Sequence, residues 1–162
     1  MMPVNEMEIL KTAIVNETEG NQFYTLAAEK VADSETKAAF LFLAKEEENH
    51  KTWLLNIYQS LTRHQPVDQA PLLQSASPGI FEYGKVRPES GSLEVSVFRI
   101  GILMEKASID FYRKAVTESQ TPEVREICEH LASWENGHLE MLERIYDQLR
   151  EEWWDKQGFS PA

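Results

Sequence analysis

The stretch Glu47-Glu48-Asn49-His50 returns 88 residues later as Glu135-Asn136-Gly137-His138, and this repetition constrains the fold more than any other feature of the chain. The same offset carries Glu17 to Glu105, Phe23-Tyr24 to Phe111-Tyr112, and Leu54, Ile57, Tyr58 and Leu61 to Leu142, Ile145, Tyr146 and Leu149. Residues 10–61 match residues 98–149 without a gap at 14 of 52 positions, which makes the chain one unit written twice. A Glu and a His three residues apart share one face of a helix, so the repeated unit is read as helical.

Periodicity supports that reading. From about residue 5 to 32 there is no proline, and Ile9, Leu10, Ala13, Ile14, Phe23, Tyr24 and Ala27 recur at helical spacing. Glu17 falls inside this apolar stripe, and an acid there needs a reason. Asp33 before Ser34 and Glu35 predicts an N-cap with an acid in the first turn, and the equivalent Thr121-Pro122-Glu123 places proline at the first helical position. A second helix is expected over about 34–61, with Thr36, Ala39, Phe40, Leu43, Leu54, Ile57, Tyr58 and Leu61 around Glu47 and His50. A third, about 92–118, carries Phe98, Ile102, Glu105 and Tyr112 in the places of Leu10, Ile14, Glu17 and Tyr24. A fourth, about 122–153, sets Val124, Ile127, Cys128 and Leu131 beside Glu135 and His138.

The chain is thus expected to be one domain over 1–162, made of a hairpin (5–61), a crossover (62–91) and a second hairpin (92–154). The crossover holds Pro66, Pro71, Pro78 and Pro88, so no long helix passes through it. Antiparallel neighbours need only about two to eight linking residues, so a connection this long predicts that the second and third helices run parallel. The same slack would permit a swapped dimer.

Lys and Arg number 16 against 27 Asp and Glu, a formal net charge of -11, which argues against nucleic acid or anionic membrane surfaces as partners and favours a cationic ligand. There is no apolar run of membrane-spanning length, and the first residues lack the basic and apolar regions of a signal peptide. Cys128 is the single cysteine, so neither an internal disulfide nor a thiolate metal cage can form. A cytoplasmic location is expected. Four inward carboxylates (Glu17, Glu47, Glu105 and Glu135) would each cost several kcal/mol to bury, and divalent cations would cancel that charge. Nitrogen and oxygen donors without thiolate suit iron or manganese, with zinc also accommodated.

With Glu17 and Phe23-Tyr24, the run from Phe40 to His50, and the second copy from Leu131 to His138, the chain resembles the rubrerythrin branch of the ferritin-like superfamily over about residues 5–152. The resemblance implies an all-α ferritin-like four-helix bundle with a long crossover between the second and third helices, binding two iron ions. It implies that Glu47 and Glu135 bridge the metals, that Glu17 and Glu105 are terminal ligands, and that His50 and His138 bind one metal each. Tyr24 and Tyr112 become donors beside the carboxylates. The implied activity is reduction of hydrogen peroxide or oxygen at a carboxylate-bridged di-iron centre in a homodimer or larger homo-oligomer. The alternatives are a ferroxidase or iron-handling protein, and a non-enzymatic metal-binding bundle acting as partner or sensor. Rubrerythrins typically place a further carboxylate one turn after the third-helix ligand, where this chain has Ser108. They also carry a Cys-rich rubredoxin domain that this sequence lacks, so a separate electron-donor protein is expected.

The remaining polar and aromatic residues receive plainer readings. In the run Glu46-Glu47-Glu48 only Glu47 is expected to point inward. His64 and His130 have no counterpart in the repeat and are read as solvated. Tyr58 and Tyr146 are read as core, and Trp53, Trp134, Trp153 and Trp154 as packing, the last three with the option of lining a dimer surface.

Overall fold

The computed structural model describes residues 4–66 and 92–158, and within them the chain forms four long helices: α1 Val4–Lys30, α2 Ser34–Thr62, α3 Ser92–Glu118 and α4 Pro122–Gln157. The route of the crossover through residues 67–91 lies outside the described residues. Among the described residues there is no strand, and no helix is long and apolar enough to cross a membrane.

Local chemistry sets the helix ends. Asp33 caps α2 as expected, its carboxylate accepting from Thr36 N at 2.7 Å and from Thr36 Oγ1 at 2.8 Å. Pro122 opens α4, and Gly158, at φ 75°, closes it in the left-handed conformation that glycine adopts without strain. Short turns after Lys30 and Glu118 fold α1 back on α2 and α3 back on α4.

The direction of the second hairpin follows from contacts between α1 and α3. Asn5 Nδ2 donates to Glu118 O (3.4 Å), Asn16 Nδ2 to Ser108 Oγ (3.0 Å), and the Tyr24 hydroxyl to Glu105. Rising numbers on α1 meet falling numbers on α3, so these helices are antiparallel. Because α1 is also antiparallel to α2, α2 and α3 run parallel, as the crossover length predicts. The architecture is a ferritin-like four-helix bundle.

A buried acid outside the repeat's ligand set helps to hold this arrangement. Glu6, fully buried in the first turn of α1, accepts from Ser119 Oγ at 2.8 Å and from Gln120 N at 2.5 Å, clamping the turn between α3 and α4. Its counterpart Glu94, in the first turn of α3, is buried as well. Hydrogen bonds to a charged group contribute about 1.5–3 kcal/mol, so Glu6→Ala should lower stability by roughly 2–3 kcal/mol in denaturant titration. Metal content should not change, since Glu6 lies far along α1 from Glu17; a loss of metal would contradict a purely structural clamp.

Two apolar clusters fill the bundle and leave one polar layer between them. The first contains Tyr24, Ala28, Phe40, Leu43, Phe98, Leu142 and Ile145; the second contains Leu10, Ala13, Leu54, Ile57, Tyr112, Ile127 and Leu131. On every helix the candidate ligand positions fall between residues of the first cluster and residues of the second. Tyr58 and Tyr146 are half-buried against the clusters.

Candidate metal centre

The structure brings all six residues singled out by the repeat, Glu17, Glu47, His50, Glu105, Glu135 and His138, into this buried layer. His50 Nδ1 lies 3.1 Å from Glu17 Oε2, 3.1 Å from Glu135 Oε1 and 3.9 Å from Glu47 Oε2. His138 Nδ1 lies 3.3 Å from Glu47 Oε1, 3.3 Å from Glu135 Oε2 and 3.5 Å from Glu105 Oε1. Exchanging the two hairpins exchanges the two sets, with Glu47 and Glu135 common to both. An approximate two-fold axis therefore passes through the layer.

The tyrosines obey the same symmetry. Tyr24 donates to Glu105 and Tyr112 to Glu17, each hydroxyl reaching from one hairpin to a buried carboxylate of the other. An added Cβ at Gly20 of α1 would stand 3.1 Å from the Glu47 carboxylate carbon, so the Glu47 side chain would have to shift by a few tenths of an ångström to accept it. The equivalent position in the second hairpin is Ser108, buried and bonded to Asn16.

Charge in the layer is unevenly shared. Burial pushes the Glu47 and Glu105 carboxyls well above the usual carboxylate range, and negative Glu135 nearby pushes them further. Burial also acts to raise Glu135, but close contact with Glu105 and the two imidazoles outweighs it and holds Glu135 well below that range. The imidazoles respond in the opposite sense. Burial alone would lower His50, yet the close Glu135 and Glu17 carboxylates carry it up to about 9, and His138 is raised by Glu135 in the same way. Burial, then the neighbouring carboxylates, keeps both tyrosines protonated.

The donor set fits a metal pair. Four buried atoms, His50 Nε2, His138 Nδ1, Glu105 Oε2 and Glu135 Oε1, have no hydrogen-bond partner among the described residues. Two of them are the His138 nitrogen and a Glu135 oxygen that already lie within ion-pair distance of opposite charge, so close contact exists without hydrogen-bond geometry. Leaving such atoms unsatisfied costs about 1–3 kcal/mol each, which a cation bound among them removes. Glu17, Glu47, His50 and Glu135 form one group able to hold an ion, and Glu47, Glu105, Glu135 and His138 another.

The family profile for rubrerythrin matches residues 8–146. The chain belongs to the rubrerythrin family. No curated protein matches this rubrerythrin-family chain. Among solved structures it is similar to a hypothetical protein from Pyrococcus furiosus, with a TM-score of 0.68, 24% identity and 90% of each chain covered. It is also similar to a dodecameric thioferritin, the bacterioferritin-related protein of Bacteroides fragilis, with a TM-score of 0.66, 15% identity, 96% of this chain and 90% of that one covered. At these identities the two structures establish the fold alone.

Two sequence expectations need correction. His130 is half-buried and stacks on Trp134, with ring centroids 5.6 Å apart. Trp53 and Trp134 pack, as expected, against the second cluster, and both lie on the His50 ring, at 5.4 and 5.2 Å. Glu46 is not simply a solvated face: its carboxylate and one nitrogen from each of His50 and His138 lie within 4.8 Å of one another. The helical wheel misses Glu46 because a long side chain one position from an inward residue can still bend toward the layer. His64 is exposed, as expected.

Proposed function

We propose that this chain is a non-haem di-iron oxidoreductase of rubrerythrin type, reducing hydrogen peroxide or oxygen at a carboxylate-bridged centre. The observation that carries the reading is that His50 and His138 each face three carboxylate oxygens, in two sets sharing Glu47 and Glu135. Bound iron would supply the electron chemistry by cycling between ferrous and ferric states, and manganese or zinc would suit the same donors. Glu47 and Glu135 would bridge the ions. Glu17 and His50 would complete one, Glu105 and His138 the other. Tyr112 and Tyr24 would fix the two terminal carboxylates by hydrogen bonds. Reduction of a peroxide consumes protons as well as electrons, and each tyrosine holds one beside a terminal carboxylate. The apolar clusters on either side would keep bulk water from the layer.

The electrons would come from a separate donor protein, in the cytoplasm. Exposed Val15 and Leu103, at equivalent positions of the two hairpins, with Ile100 nearby in sequence, support a homodimer or larger homo-oligomer; the thioferritin's dodecamer points the same way. Sedimentation showing only monomer at micromolar concentration would remove that part of the reading.

Metal analysis after anaerobic ferrous loading, followed by separate mixing of the reduced protein with peroxide and with oxygen, tests the function. Oxidation of iron that stays bound supports it, whereas release of the iron to a mineral or another protein would favour the ferroxidase reading. That second reading has its own observation. Ser108, tied to Asn16, stands where rubrerythrins typically place a further carboxylate, and this leaves a six-residue donor set. Ser108→Glu should raise the ratio of the peroxide rate to the oxygen rate; an unchanged ratio would detach oxidant choice from this position.

A further inference from the structure

The two hairpins agree at every candidate ligand and both tyrosines, and among the positions beside them where they part, Trp134 in the second hairpin corresponds to Glu46 in the first. Each sits one turn before a candidate histidine of its own helix. Trp134 on α4 stacks on His50 of α2, at 5.2 Å and 13°, and Trp53 packs against both rings. That side of the layer is closed, and the His50 side chain is 1% exposed. The opposite side has a half-buried carboxylate in place of an indole. There the His138 side chain keeps 8% exposure, more than any other of the six, and Glu46 can share an ion with His138 and His50. Glu46 has no hydrogen bond or ion pair of its own among the described residues, and His50 Nε2 is buried without a partner.

We propose that Glu46, with His138 and His50, forms a capture site that takes a hydrated divalent cation from solvent and passes it to the buried carboxylates. The proposal rests on the reading of the buried layer as a two-metal centre. A cation entering that layer has to exchange its waters for ligands in steps. Glu46 is the carboxylate that meets solvent first. One carboxylate with imidazoles holds a cation less tightly than the three carboxylates facing each histidine within, so the gradient of affinity points inward. His138 belongs to both groups; as the ion binds, each imidazole releases its proton to solvent, and the transfer then exchanges Glu46 for Glu47, Glu105 or Glu135.

The test mixes metal-free wild type, Glu46→Gln and Glu46→Asp with cobaltous or ferrous ion under anaerobic stopped flow. Fluorescence of Trp53 and Trp134, packed on His50, reports arrival of the ion, and elemental analysis gives the final content. The expected result is full metal content in all three proteins, with association about tenfold slower in Glu46→Gln and intermediate in Glu46→Asp, and with the rate difference shrinking at high salt. Equal association rates overturn the proposal. Loss of one bound ion from Glu46→Gln overturns it by making Glu46 a resident ligand, and weaker binding at an unchanged association rate overturns it by making Glu46 a support for an imidazole. Wild type that takes up no metal overturns the two-metal reading together with the capture site, which separates the two failures.

Discussion

Metal-free protein carrying Glu135→Gln is expected to melt far below the wild type, while metal-free Glu47→Gln melts near it, although both variants lose metal. The two carboxylates occupy equivalent places in the hairpins, yet their charge differs. Glu135 is held ionised between His50 and His138, which it in turn keeps protonated. Replacing it with an amide leaves buried imidazolium without its main counter-charge, and breaking a buried pair from one side costs about 3–5 kcal/mol. For a chain of this size that is a fall of roughly 6–20 °C in melting temperature. Glu47 holds its proton through burial and repulsion by Glu135 and Glu17, so glutamine there copies the shape and charge of the neutral acid. Its effect on the metal-free protein should stay within about 1 kcal/mol. Toward metal the two should act alike. Each would bridge both ions, and each variant should retain less metal than Glu17→Gln or Glu105→Gln. Thermal denaturation of chelator-treated samples at pH 7 and elemental analysis of reloaded ones check both halves; equal melting shifts at positions 47 and 135 would contradict this distribution of charge.

The buried layer of candidate ligands was legible because it is written twice. One acid inside an apolar stripe reads as a surface residue with the wrong register, but Glu17 and Glu105 lie equally far before Glu47 and Glu135, and a repeated exception points to a candidate site. The helices were legible from spacing, and the direction of the second hairpin from the length of the crossover alone. What the repeat could not reveal is where the copies differ. Trp134 has no aromatic counterpart, since position 46 is glutamate, and His130 stacks on a ring that has no double. Glu6 escaped notice for another reason. An acid in the first turn of a helix is already accounted for by the helix dipole, and its true partners, Ser119 and Gln120, belong to the other hairpin.

Raising the pH from 6 to 9 should destabilise the metal-free protein and not the metal-loaded one. His50 binds its proton more tightly in the folded state, up to about 9 against an ordinary 6.5, so its contribution is complete below 6.5 and is lost as pH rises through about 9. That difference corresponds to about 3 kcal/mol, or a fall of roughly 6–12 °C. His138, raised by the same carboxylates, acts in the same direction, and so do Glu47 and Glu105, whose protons are also held more tightly when folded. Glu135 has the opposite sign, but its contribution is lost only as pH falls through its depressed value, well below this window. Cys128, pushed up to about 12 by burial, titrates above the window. Metal inverts the dependence, because its ligands bind it only when deprotonated and protons compete with it at low pH. The gap between the two melting temperatures should therefore widen steadily from pH 6 to 9. Parallel curves with and without metal would mean that His50 does not carry the proton that its contacts with Glu17 and Glu135 assign to it.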